Sequence, residues 1–344
     1  MTDIPASMKA LTVIGNGFSG TAEGPSITTL DPFVTHEEIA VPQPGAGEVL
    51  VKIILANINP SDLHFIKGEY GLPRVAGRPA GFEGCGTVVK AGEGAEGLLG
   101  KRVALTASKS GAWAEYALTD ARSCVPVVDA VRDEDAAAFF VNPMTAIAMF
   151  GEVKDAGSKS FILSAGASQL CKLIAALAQD EGYSAISLVR RVEQVEQLKE
   201  LGAAHVFDIS DPGFARALGA VLKAEKPRVF LDSVADQVCS DVFAAMPSRS
   251  EWVIYGKLSA VPPVLNQAGQ FIFMEKRIRG FWLTKWLVEK PPETVMAAGA
   301  EVMKRFATGK WKTDVATIVP LAEAHAKLPD ALAGANTGKV MLRP

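Results

Sequence analysis

The sequence predicts an α/β protein with two lobes, one rich in short β-strands and one built on a parallel β-sheet. Three observations support this prediction. The chain has 344 residues, more than one hydrophobic core usually fills. Its first third contains β-branched segments without a helical period, and after about Asp133 strands alternate with amphipathic helices. That alternation is typical of βαβ units and of a sheet covered by helices on both faces.

The first lobe is predicted from strand-like segments separated by Gly and Pro. The segment EVLVKIILANIN is strongly β-branched, and GAWAEYALTD alternates apolar with polar residues. Short strands of this kind, with no helical period between them, suggest a barrel-like or sandwich lobe. The predicted strands are residues 48–59, 86–92, 101–107 and 111–120.

The second lobe begins with a strand at residues 159–166, which is followed by an apolar stripe at helical spacing. The stripe consists of Leu170, Leu173, Ile174, Leu177 and Ala178. Further strands are predicted at 185–191, 205–208, 228–233, 251–256 and 277–283, with helices at 193–201, 214–223 and 238–246. Gly202 is predicted to end the first of these three helices. The tail is predicted to hold one long helix, 295–306, and a last strand, 338–342.

Composition limits the class of protein. A hydrophobic fraction of 49% and a charged fraction of 21% exclude a disordered chain. The near balance of 35 Lys and Arg with 38 Asp and Glu argues against nucleic-acid or membrane partners. The four cysteines are dispersed and form no C-x-x-C pair, as expected in a reducing compartment. Neither a secretory leader nor an apolar run of ~18 residues is present, so we expect a cytoplasmic protein.

The first turn of the parallel sheet is a candidate dinucleotide site. Ligands bind at the carboxyl ends of parallel strands where the strand order reverses, and the turn there reads SAGASQLCK. Glycines in such a turn let the backbone approach a pyrophosphate at the helix N-terminus. Only Gly166 stands at a glycine position, while Ser168 and Cys171 occupy the second and third. A doubly wound domain with another ligand is the alternative.

The end of the second strand bears on the choice of cofactor. NAD sites usually carry an Asp or Glu there that accepts from the ribose 2′-hydroxyl. This strand instead ends in Arg190 and Arg191, whose guanidinium groups suit a 2′-phosphate. The pattern predicts NADPH rather than NADH, with a solvated basic strand end as the alternative.

Several segments together resemble the medium-chain dehydrogenase/reductase superfamily over residues 8–344. They are PGAGEVLVKI, NINPSD, GRPAGFEGCGTVV, LGAAHVFD and GKVMLRP. The resemblance implies a GroES-like catalytic lobe made from residues 1–131 and 282–344. It also implies a Rossmann-like NADPH-binding domain over residues 132–281.

The resemblance points to the zinc-independent branch of that superfamily. Zinc-dependent members carry Cys at the position of Asn59 and His at the position of Phe82, and they have a four-cysteine lobe that is missing here. The four histidines fall in no ligand spacing, and we expect surface or loop positions for them: His36, His64, His205 and His325. We therefore predict no metal. The nearest branch comprises quinone oxidoreductases and 2-enoyl thioester reductases, the latter resembled by NINPSDLHFIKGEYG, VNPMTAIAMF and RGFWLTKWL.

The resemblance also implies roles for individual residues. Tyr70, between Gly68 and Gly71, would donate a proton or polarise the acceptor carbonyl, although a packing role is the alternative. Asn59, Ser61 and water are rival donors. The apolar segment GFWLTKW could equally supply core aromatics. The positions that would contact NADPH are Asn59, Asn142, Thr145, Gly166, Ala167, Ser168, Gln169, Leu170, Arg190, Arg191, Tyr255, Gly256, Phe281, Trp282, Leu283 and Lys339.

The expected function is NADPH-dependent, metal-free transfer of hydride to a quinone or an activated C=C bond. A 2-enoyl thioester reductase is the first alternative, and a non-catalytic NADPH-binding or sensing protein is the second. The expected partner is a small-molecule acceptor, either a quinone or an α,β-unsaturated carbonyl or thioester. Because relatives commonly pair through the edge of the cofactor-domain sheet, residues 277–283 predict a homodimer.

Overall fold

The computed structural model describes residues 4–201, 203–335 and 338–344. The chain forms two compact units, one from the chain up to Pro143 together with Ala300–Pro344, and one from Met144–Gly299. The boundaries expected from the sequence, 131/132 and 281/282, fall earlier than these divisions. Residues 132–143 belong with the first unit because the backbone N–H groups of Phe140 and Val141 donate to the carboxylate of Glu83.

The first unit is rich in β-structure, as predicted. Seven strands form one sheet in the order β14-β15-β3-β4-β5-β7, with β6 paired to β3, and β1 and β2 form a separate antiparallel pair. The strands are β1 (Ser7–Val13), β2 (Val34–Ala40), β3 (Glu48–Asn57), β4 (Glu83–Ala91), β5 (Arg102–Thr106), β6 (Tyr116–Asp120), β7 (Cys124–Pro126), β14 (Val315–Pro320) and β15 (Lys339–Arg343). The helices are α1 (Pro60–Lys67), α2 (Asp133–Ala137) and α11 (Ala324–Gly334). A continuous apolar core lies under the sheet and includes Trp113, Leu105 and Leu342.

Helix α1 and the pair β14 and α11 were missed by the sequence analysis. Local signals mark α1: Pro60 occupies its first turn and the carboxylate of Asp62 accepts from the backbone N–H of Asn59 at 2.8 Å. Gly68 ends the helix with a φ of 79°, a left-handed conformation that favours glycine. With 8 residues, α1 is too short for its periodicity to stand out.

The second unit confirms the predicted parallel sheet. Its strands are β8 (Ser160–Leu163), β9 (Ser184–Val189), β10 (His205–Asp208), β11 (Val229–Asp232), β12 (Glu251–Ile254) and β13 (Arg277–Gly280). All neighbours are parallel, in the order β10-β9-β8-β11-β12-β13. The helices are α3 (Thr145–Asp155), α4 (Gln169–Asp180), α5 (Val192–Glu200), α6 (Phe214–Glu225), α7 (Gln237–Ala245), α8 (Gly269–Phe273) and α9 (Leu283–Glu289), and α10 (Pro292–Ala307) continues into the other unit. Gly202 lies outside the described residues.

The predicted strand at residues 277–283 is wrong in its second half. The ladder ends when the N–H of Phe281 donates to the carbonyl of Ile254 at 2.8 Å. Trp282 then caps α9, and Leu283 is the first residue of that helix. The apolar run carries no period that separates strand from helix, and only the neighbouring strand β12 decides where pairing stops.

None of the helices in the described part of the chain is long and apolar enough to cross a bilayer.

Strand β13 lies at one edge of the six-stranded sheet, as the dimer prediction requires. An edge strand presents backbone N–H and C=O groups that another strand can pair with. We expect light scattering at micromolar protein to return about twice the chain mass of 36.3 kDa. A mass near 36.3 kDa at that concentration would contradict the prediction.

Candidate functional site

A crevice for a ligand is expected in the second unit at the carboxyl ends of β8 and β11, because the strand order reverses between them. Two loops border this point. The first connects β8 to α4 and ends at the helix cap Ser168, and the second connects β11 to α7 and ends at the cap Asp236. Both caps accept a backbone N–H through their side chains, which orients the two helix N-termini.

The loop after β8 brings together the predicted residues Gly166 to Leu170. Gly166 is required for packing, because a Cβ there would lie 2.7 Å from the Cβ of Ser187 on β9. Its N–H donates to the carbonyl of Leu188 at 2.8 Å. The residue with positive φ is Ala165, at 46°. Gly166 therefore serves the contact between β8 and β9, and the special backbone conformation lies one residue earlier.

Residues at the ends of β8 and β12 lie together. The thiol of Cys171 is 3.3 Å from the carbonyl oxygen of Ser164 and 3.5 Å from the hydroxyl of Tyr255. Gly256 is needed here as well, because a Cβ would lie 2.8 Å from the carbonyl oxygen of Ser233. Burial raises the pKa of Tyr255 well above its ordinary value, so its phenol stays protonated. The structure thus places the predicted Tyr255 and Gly256 at the same sheet edge as the first loop.

Arg190 and Arg191 follow β9 directly, and both are exposed. Neither guanidinium has a hydrogen-bond or ion-pair partner among the residues that the structure describes. The hydrogen bond between Gly166 and Leu188 holds the end of β9 against the turn after β8. The two arginines therefore follow a strand end that lies next to the N-terminus of α4. Their positive charges and the helix N-terminus all favour a bound anion.

Asp232, the last residue of β11, was missed by the sequence analysis. Its side chain is 0% exposed. It accepts from a hydroxyl, a thiol, an indole and two backbone N–H groups: Ser164 Oγ at 2.5 Å, Cys239 Sγ at 3.3 Å, Trp252 Nε1 at 2.8 Å, Val234 N at 2.8 Å and Ala235 N at 3.1 Å. An Asp at the end of an apolar strand was the only available signal, and its partners are distant in sequence.

The remaining predicted cofactor contacts are distributed over both units. Thr145 is buried at the start of α3, and Phe281, Trp282 and Leu283 lie between β13 and the first residue of α9. Asn142 belongs to the first unit, in a π-helical turn over Phe140–Met144.

In the first unit, Tyr70 follows helix α1 and is half-buried. Its ring packs on Phe82 with centroids 5.2 Å apart, and Phe65 packs on Phe82 at 5.1 Å. The preceding Glu69 fastens this loop, because its carboxylate accepts from Thr21 Oγ1 at 2.8 Å and from the N–H groups of Glu23 and Gly24. Tyr70 therefore lies in a loop, as predicted, and the buried carboxylate of Glu69 fixes that loop.

Asn59 and Lys339 meet in a buried polar cluster. Lys339 Nζ donates to Asn59 Oδ1 at 2.6 Å, and Asn59 Nδ2 donates to Glu83 Oε1 at 2.7 Å. Asn57 Nδ2 donates to the same Glu83 oxygen at 2.8 Å. Asn59 is 1% exposed, so its amide is used within the unit, and its predicted contact with cofactor stays a prediction.

Burial shifts two ionisable groups of this cluster. It raises the pKa of the Asp62 carboxyl from 3.8 to about 7. It lowers the pKa of Lys339 to about 8, although the carboxylates of Glu83 and Asp62 oppose that change. Both shifts disfavour the charged forms, as expected in a low-dielectric environment.

The Asp62 shift predicts a pH dependence of stability. Because the folded-state pKa is raised, the stabilising contribution of the Asp62 carboxyl is complete below about pH 4 and is lost as pH rises to about 7. We expect the unfolding free energy of the wild type, relative to Asp62→Asn, to fall across this window. Urea denaturation of both proteins between pH 4.5 and 7.5 measures the difference. A difference that is constant or rises with pH would contradict the assignment.

The structure corrects the expectation for one histidine. His64 lies on α1 and is only 7% exposed, with Nδ1 3.3 Å from Glu69 Oε2. The other three histidines lie on β2, β10 and α11 and are partly exposed, in agreement with the predicted surface positions. Glu69 lies beyond the end of α1, five residues after His64. Their contact therefore depends on the turn that Gly68 makes at the end of the helix.

Metal independence stays a prediction. Within residues 4–201, 203–335 and 338–344, no group of three or more His, Cys, Asp or Glu side chains could hold a metal ion. We expect activity to survive dialysis against a chelator, with less than stoichiometric zinc by elemental analysis. Stoichiometric zinc whose removal abolishes activity would contradict the prediction.

Comparisons with known proteins agree with a GroES-like unit and a parallel-sheet unit in one chain. The alcohol dehydrogenase GroES-like domain family matches residues 45–129. A mitochondrial enoyl-[acyl-carrier-protein] reductase of Caenorhabditis elegans is 30% identical over 273 residues, which cover 73% of this chain and 73% of that protein. A crystal structure described as an NADPH:quinone reductase of Mesorhizobium loti is 50% identical over 100% of both chains, with a TM-score of 0.95. A mycobacterial structure complexed with NADPH is 25% identical, with a TM-score of 0.80, and covers 98% of this chain and 100% of that one.

Proposed function

Because the chain belongs to the quinone oxidoreductase and 2-enoyl thioester reductase branch of the medium-chain dehydrogenase/reductase superfamily, we propose that it is an NADPH-dependent, metal-free reductase of quinones or activated C=C bonds. Membership makes the protein an oxidoreductase, and the proposal adds the cofactor and the acceptor class. The observation that carries it is the pair of exposed guanidiniums, Arg190 and Arg191, which have no partner among the described residues and lie near the N-terminus of α4.

The residues of the second unit fit NADPH better than NADH. The end of β9 offers two exposed cations and no carboxylate, which suits a ribose 2′-phosphate and not a free 2′-hydroxyl. The N-terminus of α4, capped by Ser168, suits a pyrophosphate. The NADPH complex of the mycobacterial neighbour and the description of the Mesorhizobium loti neighbour as an NADPH:quinone reductase support the same cofactor.

Tyr70 is the proposed donor to the acceptor. NADPH, when bound, supplies hydride. As hydride arrives, negative charge develops on the acceptor oxygen, and a phenol aimed at that oxygen stabilises the transition state more than the ground state. Asn59 is a poorer rival because it is 1% exposed and its amide nitrogen already donates one of its two N–H groups to Glu83. Ser61 remains a rival, since its buried hydroxyl has no hydrogen-bond partner in the described part of the chain.

A 2-enoyl thioester reductase is the second candidate. It is favoured by the similarity to mitochondrial enoyl-[acyl-carrier-protein] reductases, which reaches 30% identity. The same Tyr70 chemistry would serve a thioester carbonyl, so the two candidates differ in the acceptor and not in the donor.

An acceptor panel tests the proposal. NADPH consumption is followed with crotonyl-CoA, a 2-alkenal and a naphthoquinone, each with NADH as the matched control. We expect turnover of at least one acceptor, with NADPH preferred. Dominant turnover of crotonyl-CoA would favour the thioester candidate. Tight NADPH binding without turnover of any acceptor would instead indicate the non-catalytic NADPH-binding or sensing role.

A further inference from the structure

The two loops that border the crevice each contain an alanine with a left-handed backbone. Ala165, after β8, has a φ of 46°, and Ala235, after β11, has a φ of 57°. L-residues with a Cβ rarely adopt this conformation, which costs them free energy that glycine avoids. Strained residues persist only where surrounding contacts hold them, and they cluster at ligand sites.

Asp232 makes contacts to both loops at once. The carboxylate accepts from the hydroxyl of Ser164, which directly precedes Ala165, and from the N–H of Ala235 itself. The Ser164 hydroxyl in turn accepts from the N–H of Ser233 at 2.9 Å. The buried side chain of Asp232 therefore bonds to both loops, through Ser164 on one side and the N–H groups of Val234 and Ala235 on the other, and the Ser164 hydroxyl adds a direct bond between the loops.

We propose that Asp232 is a positioning residue for cofactor binding, which holds the loops after β8 and β11 in the conformation in which Ala165 and Ala235 keep a positive φ. This inference rests on the proposed NADPH site. It accounts for the positive φ of Ala165 and Ala235, because the hydrogen bonds of Asp232 supply the constraint that keeps an alanine in the left-handed region.

The chemistry requires a carboxylate. Every group that faces Asp232 is a donor, and they are divided between its two oxygens: Ser164, Val234 and Cys239 on Oδ1, Trp252 and Ala235 on Oδ2. An asparagine must turn its amide nitrogen toward one of these sets. It therefore loses at least two hydrogen bonds while it keeps the volume of the side chain.

The test is a fluorescence titration of NADPH and NADH into wild type, Asp232→Asn and Trp252→Phe. Trp252→Phe is the matched control, because it removes one donor to the same carboxylate and the residue belongs to β12 and not to either loop. We expect Asp232→Asn to raise the Kd of both cofactors by the same factor, about 10-fold or more, as buried donors are left unpaired. Trp252→Phe should change the Kd by less than about twofold while it lowers Tm. Equal Kd values in the two variants would overturn the proposal.

A rescue experiment separates positioning from general destabilisation. Glycine relieves the strain at a positive φ, so adding Ala165→Gly to Asp232→Asn should recover about threefold in NADPH affinity. The same change in the wild type should alter affinity by less than about twofold. If Ala165→Gly changes the Kd for NADPH by the same factor in the wild type and in Asp232→Asn, the proposed coupling between Asp232 and Ala165 is wrong. If Asp232→Asn does not fold, Ser164→Ala removes both hydrogen bonds of the Ser164 hydroxyl and keeps the bond from the Ala235 N–H to Asp232. An unchanged Kd in that variant overturns the proposal.

Hydrogen exchange distinguishes failure of this inference from failure of the proposed function. In the cofactor-free protein, the amides of residues 164–168 and 233–236 should exchange faster in Asp232→Asn than in Trp252→Phe. If the wild type does not bind NADPH, the proposed function is contradicted. The difference in exchange between Asp232→Asn and Trp252→Phe still tests whether Asp232 holds the two loops. A wild type that binds NADPH, together with unchanged exchange in Asp232→Asn, overturns the inference alone.

Discussion

Replacing Tyr70 with Phe is expected to lower kcat on the best carbonyl acceptor by about 100-fold or more, the size typical of a lost acid–base partner. The substitution keeps the ring that packs on Phe82 and removes only the hydroxyl. A phenol with an ordinary pKa near 10 is protonated at neutral pH and can donate. NADPH affinity should stay unchanged. Steady-state kinetics at saturating NADPH measure the effect, with a separate titration of NADPH.

Tyr116→Phe is the matched control for Tyr70→Phe. Tyr116 is a buried tyrosine of the same unit, on β6, and its loss of a hydroxyl should leave kcat within about twofold. Full kcat in Tyr70→Phe would show that the proton comes from elsewhere, with Ser61 as the next residue to test. The carbonyl acceptor is necessary, because quinone reduction need not use such a donor.

Replacing Arg190 or Arg191 with Ala should weaken NADPH binding and leave NADH binding nearly unchanged. Each lost charge-assisted hydrogen bond costs about 1.5–3 kcal/mol, which corresponds to about a 10- to 150-fold increase in the Kd for NADPH. Only the 2′-phosphate distinguishes the two cofactors at this end of β9, so the ratio of the two Kd values is the informative quantity. Isothermal titration of both cofactors into each variant measures it.

Arg216→Ala is the control for a general loss of positive charge. Arg216 is an exposed residue of α6, outside the proposed phosphate site, and its removal should not change the ratio. If both cofactors bind with equal affinity to the wild type and to the Arg190 and Arg191 variants, the 2′-phosphate assignment is wrong. The ratio of the two Kd values also distinguishes the arginines from Asp232, because replacing Asp232 should weaken the binding of NADPH and NADH by the same factor.

The parallel sheet could be predicted because its signals are local. Short strands such as β10, which coincides with the predicted residues 205–208, stand between amphipathic helices. For α4, the helical stripe from Leu170 to Ala178 lies within the observed Gln169–Asp180. Periodicity reflects which side of an element faces the core, and this is a property of neighbouring residues alone.

The errors occurred where the local pattern was absent or ambiguous. Leu283 ends the short apolar run 281–283, which is too short to show a period, so the sequence could not show that the ladder stops at Gly280 and a helix begins. The segment after Asn59 did carry a helix signal, the Pro60 and Asp62 pair at the start of α1. That signal depends on capping and not on periodicity, and α1 is too short to show a period beside it.

The sequence by itself determined the two kinds of lobe, the parallel sheet, and the residues Gly166, Arg190 and Arg191 at the ends of its first two strands. Only the tertiary structure decided what holds those strand ends in place. Asp232 meets Ser164 across 68 positions of sequence, and Glu83 meets Phe140 across 57. A buried carboxylate is stable only when donors surround it, and those donors come from segments that the folded chain alone brings together.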